Sequence, residues 1–270
     1  MARVVVCGAM GRMGRAILGV LRERPYGLTL SGALEVPGHP LLGQDAFEAA
    51  GVGKAGVAIT DDFSGAIAGA DVVIDFTHAA SSVEHARKAS AAGKPIVIGS
   101  TGFEPGQVDQ VKAAAKGIPC VLSPNMSVGV NLMFKVAADV ARVLGDDYDV
   151  EIVEVHHRFK KDSPSGTAVK LADAVAGALG REMKEVGVYG RKGIVGERTR
   201  KEVGVFAVRA GDVVGEHTLV FGGIGERLEI THRAHSRETF ARGAVRAAAW
   251  VLGKTNGLYD MQDVLGLSTP

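Results

Sequence analysis

Seven residues, GAMGRMG at positions 8–14, constrain this chain more than any other stretch. They follow RVVVCG (3–8), a short continuous apolar run of the kind buried on both faces of a sheet. They lead into RMGRAILGVLRER (12–24), where Met13, Ile17, Val20 and Leu21 recur at helical spacing. A glycine-punctuated turn that joins a buried strand directly to a helix opens a βαβ unit. Glycine there permits a tight turn and close backbone approach to a pyrophosphate, and the helix start offers free amides to an anion. The spacing through Gly8, Gly11 and Gly14 is G-x-x-G-x-x-G, not the usual G-x-G-x-x-G. A tight turn with close strand–helix packing would need the same glycines. Glu35 ends the second apolar run, LTLSGALE (28–35), 21 residues beyond Gly14. That is close to the roughly 20-residue offset of an acid that binds ribose hydroxyls. The loop and the acid together predict a nicotinamide dinucleotide site. Val36 offers no charge to a 2′-phosphate and Glu35 would repel one, with Arg12 the nearby cation. NADH is therefore the expected preference, with NADPH as the second cofactor.

The alternation continues through the first half. DVVIDFT (71–77), KPIVIGSTG (94–102) and IPCVLSPN (118–125) read as strands, with helices at 81–93 and near 104–116. Ser81 and Glu84 have the spacing of a capping box, and Gly93 fits a helix end. Strand–helix–strand order with short connections predicts a Rossmann-like α/β domain with a doubly wound parallel sheet. The pattern changes after residue 126. A long helix (127–145), a strand (149–157) and a helix (167–180) precede three strands at 203–211, 213–223 and 226–235. Short turns join those three, so antiparallel pairing is expected. The reading is a second α+β domain with a mostly antiparallel sheet over 127–235. Residues 1–126 plus 236–270 make the dinucleotide-binding domain, and the final helix (238–253) closes the pattern.

The residues EVHHRFKKDSPSGTAVK (154–170) put two histidines, an arginine and two lysines within His156–Lys161. The chain carries a net charge of +1, so no general basic field directs it to nucleic acid or an anionic membrane, and the cluster needs a local reason. A solvated basic loop would account for the charges alone. Ser165, Gly166 and Thr167, however, open a helix whose first amides and hydroxyls carry partial positive charge. A helix start beside lysine and histidine is a receptor for carboxylates, so a small dicarboxylate is a reasonable substrate. Histidine exchanges protons near neutral pH, and a lysine can deliver a second proton or hold a developing negative charge. Cys7 and Cys120 sit in apolar strand-like runs and read as buried free thiols in a reducing compartment. No Cys/His spacing suggests a metal. The N-terminus has no signal-peptide pattern and no run reaches membrane-spanning length, so a cytoplasmic location is expected. The basic residues of GRKGIVGERTRK (190–201) read as a mobile solvated loop.

These residues, with IDFTHAA (74–80), IGSTGF (98–103), SPNMSVGVN (123–131), VRAGDVVGEHTLVF (208–221) and GERLEITHRA (225–234), resemble the 4-hydroxy-tetrahydrodipicolinate (dihydrodipicolinate) reductases of the diaminopimelate route to lysine. The resemblance covers essentially the whole chain. It implies reduction of 4-hydroxy-tetrahydrodipicolinate by NADH or NADPH with loss of water. It implies His156 as the acid/base residue and Lys160 as proton donor, with His157, Ser165, Gly166 and Thr167 binding the substrate carboxylates. It implies that Gly8, Ala9, Met10, Gly11, Arg12, Met13 and Glu35 hold the cofactor. Gly99, Ser100 and Thr101 would lie along it, and Ser123, Pro124, Asn125 and Met126 near the nicotinamide. It also implies a homotetramer joined through the second domain's sheet. Two other classes stay open: another Rossmann oxidoreductase acting on a small carboxylate, and a dinucleotide sensor that lacks chemistry.

Overall fold

The computed structural model describes residues 1–267; residues 268–270, assigned from sequence to the first domain, lie outside the described residues. The chain divides into two compact units, Met1–Val128 with the segment from Arg237 onward, and Gly129–Ser236. The first unit begins β1 (Ala2–Cys7), α1 (Arg12–Arg22), β2 (Leu28–Leu34), α2 (Ala46–Ala50), β3 (Ile59–Thr60) and α3 (Phe63–Ala68). It continues with β4 (Val72–Asp75), α4 (Ala79–Ala91), β5 (Ile96–Ile98), α5 (Gln107–Ala115) and β6 (Pro119–Leu122). The helix α6 (Val128–Leu144) leads into the second unit, with β7 (Asp149–His156), α7 (Gly166–Ala178), α8 (Met183–Val186), β8 (Gly187–Val188), β9 (Val203–Arg209), β10 (Gly215–Gly222) and β11 (Arg227–Ala234). The chain then returns to the first unit as α9 (Glu238–Val251), β12 (Gly257–Tyr259) and α10 (Met261–Leu265).

The first sheet has seven strands in the order β12-β6-β5-β4-β1-β2-β3, and every pairing is parallel. The chain winds outward from β1 on one side and from β4 on the other, so the direction switches between β1 and β4, where α/β sheets bind ligands at the carboxyl ends. Val4, Val5, Val6, Val72, Val73 and Ile74 have no exposed surface, as strands covered on both faces require. The returning α9 packs its alanine face into this core, and Gly243 lets it touch the loop after β6. A Cβ at Gly243 would lie 1.7 Å from the Met126 carbonyl oxygen.

One helix start differs from its sequence reading. α4 begins at Ala79 with His78 as cap, not at a Ser81–Glu84 capping box. Ser82 N–H already bonds the His78 carbonyl at 2.8 Å, so the first turn closes three residues earlier. Glu84 pairs with Arg87 and Lys88 instead.

The second sheet runs β11-β10-β7-β9-β8. β10 pairs antiparallel with β11 and β7, but β7–β9 and β8–β9 are parallel, so the sheet is mixed. The expected β9–β10 hairpin does not form because β7 lies between them. Strands are about 4.8 Å apart, so the five residues 210–214 can cross the end of β7. Ala210 N–H bonds the His156 carbonyl at 2.8 Å, and Arg158 N–H the Gly211 carbonyl at 3.1 Å, which fixes that crossing. β7 alternates in burial, with Val150, Ile152, Glu154 and His156 on the face covered by α6 and α7.

The 190–201 segment is exposed, but two of its arginines are tied to the sheet. Arg198 donates to Glu151 (2.9 Å), Asp149 (2.7 Å) and the carbonyls of Val150 (3.1 Å) and Glu202 (2.7 Å). Arg191 bonds Glu151 at 2.9 Å and sits 5.3 Å from the Phe206 ring centre. The reason is Glu151, which faces away from the helices and meets the loop. No helix among the described residues is long and apolar enough to cross a membrane.

Candidate active site

In the first unit, the residues read as cofactor-binding stand at the carboxyl ends of β2 and β1 and of β5 and β6, with β4 between the two pairs. Gly8 turns the chain at φ 72°, a conformation glycine adopts without strain, and its amide bonds the Leu34 carbonyl at 2.9 Å. Gly14 packs the helix onto the loop: a Cβ there would lie 2.1 Å from the Gly8 carbonyl oxygen. α1 starts at an uncapped Gly11, with no acidic residue in its first turn and no side-chain cap among the described residues. Such an end attracts a diphosphate, so the loop fits a dinucleotide. Glu35 is tied to the same loop. Its Oε1 accepts from Met10 N–H at 2.7 Å and its Oε2 from Val36 N–H at 3.3 Å. Ala9, Met10 and Met126 are core side chains, so they can reach a ligand mainly by backbone. Arg12, Thr101 and Pro124 are exposed, Gly8, Gly99 and Asn125 half-buried, and Ser100 and Ser123 buried.

A polar network underlies this edge. Asp75 Oδ1 accepts from Thr77 N–H (2.9 Å) and Thr77 Oγ1 (2.7 Å), and Oδ2 meets His85 Nδ1 at 2.6 Å. Ser82 Oγ lies 3.1 Å from Asp75 Oδ1 and 2.7 Å from Ser100 Oγ. It ties the loop after β4 to the Gly99–Thr101 segment after β5. The sequence reading missed it, and a carboxylate inside VVIDFT is the signal that points to it.

In the second unit the site stands at the end of β7. His156 is 8% exposed and its Nδ1 lies 2.5 Å from Glu154 Oε2. Both residues share one face of the strand. Glu154 is fully buried and also accepts from Arg209 Nη1 (2.9 Å), Arg209 Nη2 (3.0 Å) and Ser165 N–H (3.0 Å). Burial raises its pKa, but those donors and His156 outweigh it and hold Glu154 below the usual carboxylate range. For His156, burial is the largest influence and pushes its pKa down, Glu154 works against that, and Lys160 and Arg209 add to it. The ring of His217 meets His156 edge-on, with centres 5.2 Å apart. Burial drives His217 down to about 3, so it is neutral, and its Nε2 lies 3.1 Å from Ser165 Oγ. Lys160 Nζ pairs with Asp162 at 2.9 Å. His157 lies one residue beyond β7, and its Nδ1 is buried with no hydrogen-bond partner among the described residues.

Ser165 builds this turn. Its hydroxyl accepts from Ala168 N–H at 3.2 Å to cap α7, while its amide is held by Glu154. Gly166 and Thr167 follow as the first helical residues. Glu154, Arg209 and His217 were not read from the sequence. Glu154 had a signal, since it is a charge at a buried parity between Ile152 and His156.

The family profile described as dihydrodipicolinate reductase, N-terminus, matches residues 2–126, and the one described as its C-terminus matches residues 129–265. The chain belongs to the dihydrodipicolinate reductase family. It is 57% identical over 266 residues to the 4-hydroxy-tetrahydrodipicolinate reductase of Syntrophus aciditrophicus, covering 98% of this chain and 99% of that one. It is 57% identical over 267 residues to that of Geobacter sulfurreducens, covering 99% of this chain and all of that one (100%). Among solved structures, the dipicolinate-bound dihydrodipicolinate reductase of Paenisporosarcina sp. TG-14 shares the fold at a TM-score of 0.77 and 24% identity, over 97% of this chain and 98% of that one. An amine dehydrogenase from Mycobacterium smegmatis, at a TM-score of 0.59 and 16% identity over 95% and 94% of the two chains, shares the fold alone.

Proposed function

We propose that this chain reduces 4-hydroxy-tetrahydrodipicolinate to tetrahydrodipicolinate with NADH or NADPH, releasing water, in the diaminopimelate route to lysine. The observation that carries the reading is the protonatable pair Glu154–His156 beside the start of α7, in a chain of this reductase family. The glycine loop 8–13 and Glu35 hold the dinucleotide, with Gly99, Ser100, Thr101, Ser123, Pro124, Asn125 and Met126 along it. A nicotinamide held there would supply the hydride that the substrate ring takes up at C4. In the second domain, His157, Gly166 and Thr167 receive the substrate carboxylates at the positive end of α7, on the turn that Ser165 anchors. His156 gives the ring its proton from Nε2. Lys160 exchanges its Asp162 partner for the substrate and supplies positive charge, or a second proton, where negative charge develops. One hydride and one proton enter, and one water leaves.

NADH is the preferred cofactor, because Glu35 is pinned by two amides and presents a fixed negative charge where a 2′-phosphate would sit. The chain works in the cytoplasm, where its buried thiols Cys7 and Cys120 stay reduced. It assembles as a homotetramer through the face of the second sheet opposite α6 and α7. That face carries the half-buried Val153, Val155 and Val220 and the exposed Val208, an apolar surface suited to a second copy. Sedimentation equilibrium that returns a monomer at micromolar concentration contradicts the assembly.

The test of the activity is oxidation of NADH and of NADPH with freshly generated 4-hydroxy-tetrahydrodipicolinate, followed by absorbance. Substrate-dependent oxidation, faster with NADH, is expected. No oxidation by folded protein that binds dinucleotide means the 154–170 cluster serves another substrate.

A further inference from the structure

Glu154 is a fully buried carboxylate to which the reaction above gives no step. Its four close donors leave it ionised, and an ionised carboxylate only accepts hydrogen bonds. The short contact to His156 therefore places a hydrogen on Nδ1, which leaves Nε2 as the exchanging nitrogen. The space beside Nε2 is kept by Gly215, where a Cβ would lie 2.9 Å from that atom. From this geometry we infer that Glu154 is the positioning residue of the reduction: it locks the tautomer and plane of His156 and stabilises the imidazolium that gives up the proton. Arg209 sets how strongly it does so.

The inference rests on His156 being the acid of the proposed reaction. The groups around the imidazole are Glu154 on β7, Arg209 on β9, His217 on β10, and Lys160 with Asp162 in the following loop. Of these only Glu154 and Asp162 are acidic, and Asp162 is engaged by Lys160. Burial, Lys160 and Arg209 all favour neutral imidazole. Without the Glu154 charge the ring would lose its proton at still lower pH, and less of it could donate near neutrality. In the transfer the Nε2–H bond breaks, the proton passes to the substrate ring, and neutral imidazole keeps its Nδ1–H on Glu154. The same carboxylate holds the Ser165 amide, so one residue fixes both the acid and the anchor of the anion-binding turn.

The test compares Glu154→Gln, Glu154→Asp and Arg209→Met in the full-length enzyme. Two readouts are used: the pH profile of kcat with saturating NADH and substrate, and the nitrogen-15 spectrum of labelled histidine, assigned with His156→Gln. A glutamine amide can turn its oxygen toward His156 or toward Arg209, not both. Activity that needs protonated His156 falls as pH rises through its pKa. Removing a neighbouring carboxylate lowers that pKa, so in Glu154→Gln the fall moves to lower pH, by about 1–3 units. Arg209→Met removes a cation and moves it the opposite way. Glu154→Asp restores part of the wild-type profile, and the substrate KM changes less than kcat. A profile that stays in place in Arg209→Met, with only the melting temperature lowered, overturns the inference even where Glu154→Gln fails to fold. If the spectrum shows Nδ1–H lost and the titration shifted but the rate profile unmoved, His156 is not the acid, and the proposed mechanism falls while the hydrogen bond stands.

Discussion

At the glycine loop the groups offered to a ligand are backbone amides, held by a left-handed Gly8, a close-packed Gly14 and a pinned Glu35. At the end of β7 they are side chains: two histidines, a lysine, an arginine and a buried glutamate within one hydrogen-bonded cluster. The difference follows from what each ligand needs. A pyrophosphate is held by shape and dipoles that do not change with pH, whereas a proton transfer needs groups whose charge can change. Substitutions should therefore act on the first site through sterics and on the second through titration.

The largest effect expected from breaking that division is at Gly14. A Cβ there would meet the Gly8 oxygen at 2.1 Å and Ala9 backbone atoms at 2.6 Å. Gly14→Ala should cost about 3 kcal/mol or more and abolish NADH binding, read by thermal melting and NADH fluorescence titration. Next is His217. Its folded pKa near 3 lies below the roughly 6.5 of an unfolded histidine, so as pH falls below about 6.5 the unfolded state takes up the proton first. The stability of neutral His217 is fully present above pH 6.5 and is lost as pH falls toward 3, about 2 kcal/mol by pH 5. His217→Gln should flatten the dependence of unfolding free energy on pH, measured by urea titration, and an unchanged slope refutes the assignment. Glu35→Ala should raise the NADPH-to-NADH ratio of kcat/KM about tenfold, roughly 1.4 kcal/mol. The smallest effect is at Gly166, where a Cβ meets no described neighbouring atom within 4 Å. Gly166→Ala should alter the melting free energy by less than about 1 kcal/mol, unlike the same change at Gly14.

The contrast also governs what could be read from the sequence. Glycine spacing, the acid at the second strand end and the strand–helix rhythm are local demands, so the parallel sheet and the glycine turn at its first strand end were legible. The Ser81–Glu84 pattern misled because the first turn of α4 was already closed by His78. The β9–β10 hairpin misled because short turns alone do not reveal a third strand inserted between two others. In the second domain the histidines and the PSGT turn were visible, but their partners were not. Arg209 is 55 residues from Glu154, and His217 is 52 from Ser165. Only the sheet order β10-β7-β9 brings them together, and that order depends on a crossing at 210–214 that no local pattern announces.

The central claim is that the proton of the reduction comes from the second domain, while the first holds the dinucleotide. It is tested most directly by measuring turnover and NADH affinity together in His156→Gln. The account predicts kcat lowered by about 10²–10⁴-fold with the dissociation constant for NADH unchanged. Wild-type turnover in that variant would contradict it.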